Sequence, residues 1–268
     1  MSELTKRFMF IDEGGDSTFY AKRKKLLVGT DGFQPMLNLG MVSLTDKKTI
    51  RKAILDFMSG IKADPLYSTI HSVSQPNWYL HACNDHPEIR AKFFEFLRNL
   101  DGFKSYIIIG RKRLSTFQNK HNSNEKEFYF DLVYHLLKDR LKEEDEFYQI
   151  FLSARQKSTQ NYLGEAIEKA VSRDNARRKV TKNIQYNFEI VRSQDTPELS
   201  IIDYLLWALH RYIINGEARF FNALQPKFNL IIDIYDVAKY GNGNSNYYHS
   251  GNVFSMDKAS EFKSDGYV

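Results

Sequence analysis

Apolar residues fall into two kinds of run along this chain: short continuous blocks, and residues that recur every three or four positions. Phe8-Met9-Phe10-Ile11 is a continuous block that stops at Asp12-Glu13-Gly14-Gly15-Asp16. Apolar on both faces and closed by glycine, it predicts a central buried strand that ends in a turn. Met36 to Leu44, Tyr106 to Ile109, Tyr148 to Leu152, Ile184 to Val191 and Leu230 to Ile234 read as further strands, and Phe19 to Gly29 as a weaker one.

Helical spacing appears between these blocks. Ile50, Ile54, Phe57, Met58 and Ile61 mark a helix over Lys48 to Ile61 with Thr45 placed as its cap. A second helix opens at Pro87, with Asp85 or His86 as cap and Ile89, Phe93, Phe94, Phe96 and Leu97 as its stripe. Glu125 to Lys142 and Tyr162 to Val171 continue the series, with an acidic turn at Glu143 to Glu146 between them. Leu199 to Ile214 is the most apolar helix, with Thr196 as cap and Pro197 in its first turn. The tail after Gly241, rich in Gly, Asn and Ser, reads as loop. Strands alternating with helices predict an α/β fold with a mixed sheet, and the early strands predict a meander that feeds into crossovers. No repeat or long linker is visible. The simplest parse is one domain over residues 1–268 with an irregular and helical insertion around residues 63–100.

Composition narrows the setting. No apolar run approaches the length needed to span a bilayer, and the polar start lacks the apolar segment of a signal peptide. Cys83 is the sole cysteine, which excludes an internal disulfide and a multi-cysteine zinc site. These features lead to the expectation of a cytoplasmic protein with no membrane partner. The formal net charge of +5 suits a polyanionic partner without requiring one. Cations cluster at Lys22-Arg23-Lys24-Lys25, Arg111-Lys112-Arg113 and Arg177-Arg178-Lys179, where solvated loop charge is the plain alternative to a phosphate-binding surface.

The chemistry is carried by carboxylates in apolar surroundings. Asp12 ends an otherwise apolar strand, and a carboxylate entering a sheet core needs an ion pair, hydrogen bonds or a metal. Asp203 has Leu199, Leu206 and Trp207 as its helical neighbours, so it lies on the apolar stripe. A polar turn at Asp12 and a paired buried acid at Asp203 are the plain alternatives. Brought together, the two can hold Mg²⁺ or Mn²⁺, which take hard oxygen ligands. His81 follows a short aromatic run and can ligate a metal or shuttle a proton, though a lone His is more often structural. Asp195 is a third acid near Asp203, equally explained as a cap, and Asp85 fits a cap better than a catalyst. Arg90, Arg111, Lys112, Arg113 and Arg155 are candidate contacts to a phosphate backbone. No phosphate-binding glycine-lysine loop, nucleophile elbow or dinucleotide fingerprint occurs.

Three segments in order carry a resemblance. Phe10-Ile11-Asp12-Glu13-Gly14-Gly15-Asp16, then Leu80-His81-Ala82 with Glu88-Ile89-Arg90 and Phe93-Phe94, then Leu199-Ser200-Ile201-Ile202-Asp203-Tyr204 with Trp207 and Arg211 resemble the motifs of the bacterial family called domain of unknown function 3800. The resemblance implies a ribonuclease H-like fold in which Asp12 and Asp203 are metal ligands. It also implies, by analogy, a role in bacterial defence or a mobile element, with a protein partner there. The chain departs from the pattern at Gly14, where the family has Ser, and at Ser200, where it has Gln. The middle strands end in Gly110-Arg111 and Ser153-Ala154-Arg155, where such a site often has another acid. Glu13, Asp195 or His81 then completes the centre, or the centre is reduced. The expected activity is metal-dependent cleavage of DNA or RNA, with Asp12, Glu13, His81 and Asp203 as the catalytic set and Asp195 as a further metal ligand. The alternative is a catalytically inactive nucleic-acid- or protein-binding module of the same fold.

Overall fold

The computed structural model describes residues 4–154, 160–179, 183–236 and 246–262. The continuous apolar blocks become strands of one mixed sheet, as the α/β reading expects. β1 (Thr5–Gly15) pairs antiparallel with β2 (Met36–Leu44), and β2 pairs antiparallel with β3 (Phe103–Arg111). On the other side of β1, β4 (Glu146–Ser153) and then β5 (Gln185–Val191) add in parallel. β6 (Leu230–Asp233) runs parallel beside β3, and β7 (Tyr247–Tyr248) closes that edge. The order is β5-β4-β1-β2-β3-β6-β7. The carboxyl ends of β1, β4 and β5 therefore lie side by side on one edge.

Both faces of the sheet are covered. α1 (Lys47–Ala63), α2 (Pro87–Asn99), α6 (Leu199–Asn215) and α7 (Ala218–Leu224) share a core with Phe10, Met36 and Val42. α3 (Leu114–His121), α4 (Glu125–Leu137) and α5 (Gln160–Arg178) cover the other face, against Met9, Ile11, Leu37 and Leu39. Side chains alternate across a strand, so Asp12 follows Phe10 onto the face that carries α6. α6 is buried almost all round, through Ile201, Ile202, Leu205, Leu206 and Leu209. Each such side chain contributes about 2 kcal/mol by leaving water, which holds the helix down despite its one carboxylate, Asp203. Gly40 lets the helix approach: a Cβ there would stand 2.6 Å from Ile202 Cδ1.

Several expectations are corrected. Phe19 to Gly29 is not a strand; it is a loop with one isolated bridge, Tyr20 to Leu26, because a basic turn with left-handed residues interrupts it. Asp46, not Thr45, caps α1, its carboxylate accepting from the Thr49 amide. His86 caps α2, which leaves Asp85 for another role. α4 stops at Leu137, and the chain turns through Asp139 in a left-handed conformation. α6 starts at Leu199 behind Glu198; Thr196 instead closes the preceding turn of Ser193–Asp195. Glu146 belongs to β4, where it pairs with Arg7 across the sheet. The helices at 114–121 and 218–224 have no counterpart in the sequence reading: each is only two turns long, too short to show a period. In the tail, residues 247–248 pair with β6, which the loop reading missed. No described helix is long and apolar enough to cross a membrane.

Candidate active site

A cleft of about 430 Å³ opens where β1, β4 and β5 end and α6 begins. Asp12, Asp203 and His81 line it, together with Glu13. Asp12 is buried and its Oδ1 accepts from the Glu13 amide at 2.9 Å. Glu13 leaves β1 on the opposite face, so it contributes to the rim from behind Asp12.

Asp203 reaches the cleft from α6, where its Oδ2 accepts from the Ala82 amide at 2.6 Å. The next residue grips the same loop: Tyr204 Oη donates to Asp85 Oδ2 at 2.6 Å. Asp85 also accepts from the His81 amide at 2.8 Å and Trp78 Nε1 at 3.1 Å. Burial pushes the Asp85 carboxyl above its ordinary range although these three donors pull it down, and burial against Asp85 takes the Tyr204 phenol well up. Asp85 is thus a loop anchor, neither cap nor catalyst. Arg90 completes the clamp, with Nε donating to Ala82 O at 2.6 Å and Nη2 to Asp85 O at 2.8 Å. Its guanidinium lies 4.6 Å from the Trp207 ring centre. Arg90 therefore positions the His81 loop through Nε and Nη2, and it lies outside the cleft lining.

The loop fixes the chemistry of His81. Its Nδ1 accepts from the Cys83 amide at 3.3 Å, so the neutral ring carries its proton on Nε2. Tyr79, on the same wall, packs edge-on to His81 at 6.1 Å. Its phenol is raised by burial first, then by the negative charge of Asp203 and Asp12. At the neighbouring strand ends, Ser153 and Ser193 share a hydroxyl hydrogen bond of 3.1 Å and both line the cleft. His210 and Gln34 close the far side, 3.1 Å apart, with the His210 imidazole pulled down by burial and then by Arg211. Sequence reasoning passed over Tyr79, Ser153, Ser193 and His210. Ser153 was legible as a strand end, but its place beside Asp12 depends on the β1–β4 pairing, and the others depend on how the 63–86 segment, the β5–α6 link and α6 fold back.

Other expected residues lie elsewhere. Asp195 is exposed, held by Arg192 at 2.7 Å, and is outside the cleft lining. Arg111 is buried, with Nη2 2.8 Å from Asp233 and 3.3 Å from Asp236, and it serves the core instead of a phosphate backbone. Lys112 is also buried, its amine 4.1 Å from the Phe33 ring centre. Arg113 precedes α3, away from the cleft lining. Arg155 lies outside the described residues.

The cleft is acidic. Asp12, Glu13, Asp16 and Asp203 line it, and among the described residues no Lys or Arg does. Among the described residues, no group of three or more His, Cys, Asp or Glu side chains is arranged to hold a metal. The donors present do not make a closed protein cage. Two hard carboxylates lining one cleft are donors of the kind that Mg²⁺ or Mn²⁺ takes, since Mg²⁺ keeps several waters and often takes only one or two carboxylates plus substrate phosphate. No protein-family model matches the chain, and none of the curated proteins matches it.

Proposed function

We propose that this chain is a metal-dependent nuclease that hydrolyses a phosphodiester of DNA or RNA in the cleft between β1 and α6. The observation that carries the reading is the joint placement of Asp12, at the end of the central strand, and Asp203, on a buried helix, as lining of one cleft. The strand order supports the finer fold reading, ribonuclease H-like: an antiparallel meander, β1-β2-β3, with two parallel strands laid beside its first strand.

Electrostatics supports a cation as part of the working site. A phosphodiester approaching a cleft lined by four carboxylates, with no Lys or Arg lining it among the described residues, meets net repulsion. Asp12 and Asp203 are the residues that would hold Mg²⁺ or Mn²⁺. When bound there, the ion would neutralise phosphate charge and lower the pKa of a water that serves as nucleophile. The chain's own groups handle the rest. His81, whose neutral ring carries its proton on Nε2, would donate to the leaving oxygen or to a phosphoryl oxygen. The Ser153 and Ser193 hydroxyls offer hydrogen bonds to the substrate backbone on the β4–β5 side.

The test is cleavage of DNA and RNA with Mg²⁺ or Mn²⁺ by wild type, Asp12→Asn and Asp203→Asn. Each variant is expected to lose about 10²-fold or more in rate, the scale set by removing one preorganised charged group from such a site. Wild-type rates in both variants would sink the reading.

One observation favours the second reading, a module that binds nucleic acid without cutting it: β4 ends beside Asp12 in Ser153, not in a further acid. That reading predicts binding without cleavage under every divalent ion tried.

A further inference from the structure

The acidic cleft leaves a question of attraction. If phosphodiesters are its substrate, the bound ion and the Ser153 and Ser193 hydroxyls would act on the scissile group, and a hold outside the described lining would strengthen binding of the rest of the strand. The segment between β1 and β2 offers it. This segment leaves the cleft at Asp16 and returns to it at Gln34, both of which line the cleft. Between them it folds into a narrow hairpin, with Tyr20 bridged to Leu26, the Leu27 amide donating to Phe19 O at 2.9 Å and the Ala21 amide to Lys25 O at 2.8 Å. Its base is anchored: Phe19 is fully buried, stacks on Phe117 at 3.7 Å and meets Phe128 edge-on at 5.3 Å.

The tip is Lys22-Arg23-Lys24-Lys25, and all four are exposed. None makes an ion pair or side-chain hydrogen bond with a described residue. Arg23 and Lys24 both have left-handed backbones, with φ of 61° and 58°. Tight hairpin turns need that conformation and normally fill it with Gly, Asn or Asp. Arg and Lys are disfavoured there, because the Cβ crowds the following carbonyl and neither side chain makes the local hydrogen bond that helps Asn or Asp. Local folding does not account for an Arg-Lys pair at this turn; a role for their charge does.

We infer that the hairpin tip at residues 22–25 is a clamp for the phosphate backbone of a nucleic-acid strand whose scissile end enters the cleft. The inference rests on the nuclease reading for its choice of polyanion. From Asp16 to Lys22 the chain spans at most about 20 Å, which fixes the clamp within roughly six nucleotides of the cleft along a duplex strand. The tip supplies the attraction that the carboxylates withhold, and the strained turn holds the four charges outward.

The experiment measures binding without cleavage. A fluorescent oligonucleotide of roughly 20 nucleotides, single-stranded or duplex, is titrated with the full chain in EDTA across a range of salt. Deprived of three or four phosphate-neutralising cations, the Lys22→Ala/Arg23→Ala/Lys24→Ala/Lys25→Ala variant is expected to bind at least tenfold more weakly near 100 mM salt, with a log–log salt slope shallower by about 2–3 on a single strand and about 3–4 on a duplex. The double variant Lys22→Ala/Lys25→Ala leaves the left-handed residues intact and is expected to lose about half of that slope. Unchanged affinity and slope in both variants would overturn the clamp. So would unchanged oligonucleotide binding accompanied by lost binding to phosphatidylserine vesicles, which would assign the tip to a lipid surface. Cleavage is scored apart. A chain that binds through the tip yet never cuts keeps the clamp and loses the nuclease reading. A chain that cuts, with binding indifferent to the tip, keeps the nuclease and loses the clamp.

Discussion

The Ala82 amide donates to Asp203 Oδ2 at 2.6 Å, joining a loop and a helix 121 residues apart in the chain. A charge-assisted bond of this length is about twice as strong as a neutral one. It gives Asp203 two duties. One oxygen fixes the loop that carries His81, and the carboxylate as a whole lines the cleft with Asp12. A side chain used in this way is oriented before any ligand arrives.

Asp203→Ala should therefore do more than remove a cleft charge. It strips a buried amide of its acceptor, at a cost of about 1–3 kcal/mol. Hydrogen exchange at Ala82 is expected to rise in Asp203→Ala and to stay near wild type in Asp203→Asn, whose amide oxygen still accepts. Equal exchange in both variants would remove the loop-holding role.

Arg90→Ala is expected to act on the same loop from its other side. Its guanidinium bonds the carbonyls of Ala82 and Asp85 and lies on Trp207. Loss of these bonds should lower stability by about 2 kcal/mol in denaturant melts. Arg90→Lys should not rescue it, because one ammonium cannot reproduce the planar fork. Salt dependence of nucleic-acid binding should stay unchanged, which separates this positioning role from a phosphate contact.

Arg111→Met tests the reassignment of the second basic cluster. Arg111 stands between two fully buried carboxylates, Asp233 and Asp236. Burial already pushes the Asp233 carboxyl up to about 6, against the opposing pull of Arg111. Removing the cation should destabilise the fold by about 3–5 kcal/mol at neutral pH. Acid should relieve part of the loss, since protonating Asp233 removes an unpaired buried charge. A fully stable Arg111→Met chain with weakened nucleic-acid binding would return this residue to a phosphate-binding role.

Lys112 gives a pH test with a definite sign. Its buried amine makes no hydrogen bond to a described residue and rests on Phe33, and burial lowers its pKa from 10.5 to about 8. Below pH 8 the amine is protonated in both states, and the native state bears the whole penalty. Between pH 8 and 10.5 the unfolded chain binds more protons than the native one, so stability rises with pH. Lys112→Met should therefore be more stable than wild type at pH 7, by up to roughly 3 kcal/mol. The gap should close as pH approaches 10.5. Chemical denaturation at several pH values measures it, and a destabilised Lys112→Met at pH 7 would refute the account.

The sequence by itself determined which segments are buried. Continuous apolar blocks and helical stripes mark β1 to β6 and most of the long helices, because burial of apolar surface dominates folding and leaves a periodic trace. It also marked Asp12 and Asp203 as misplaced charges, since a carboxylate among Phe10, Ile11, Leu206 and Trp207 has no reason in packing. Cap identity and the β6–β7 edge were hidden because each depends on one or two hydrogen bonds, and the helices 114–121 and 218–224 because two turns are too short to show a period.

Only the tertiary structure decided the fate of the cations and the membership of the cleft. Arg111-Lys112 and Lys22-Arg23-Lys24-Lys25 look alike as strings, yet the first pair is buried and the second run is exposed. Charge in a sequence carries no record of whether a partner such as Asp233, more than a hundred residues away, will fold against it. For the same reason Asp195, close to Asp203 in sequence, sits outside the cleft, while Tyr79 and Ser153, distant in sequence, stand within it. Strand parity fixed the face of Asp12. The parallel crossovers to β4 and β5, and the close approach that Gly40 allows α6, fixed what it meets there.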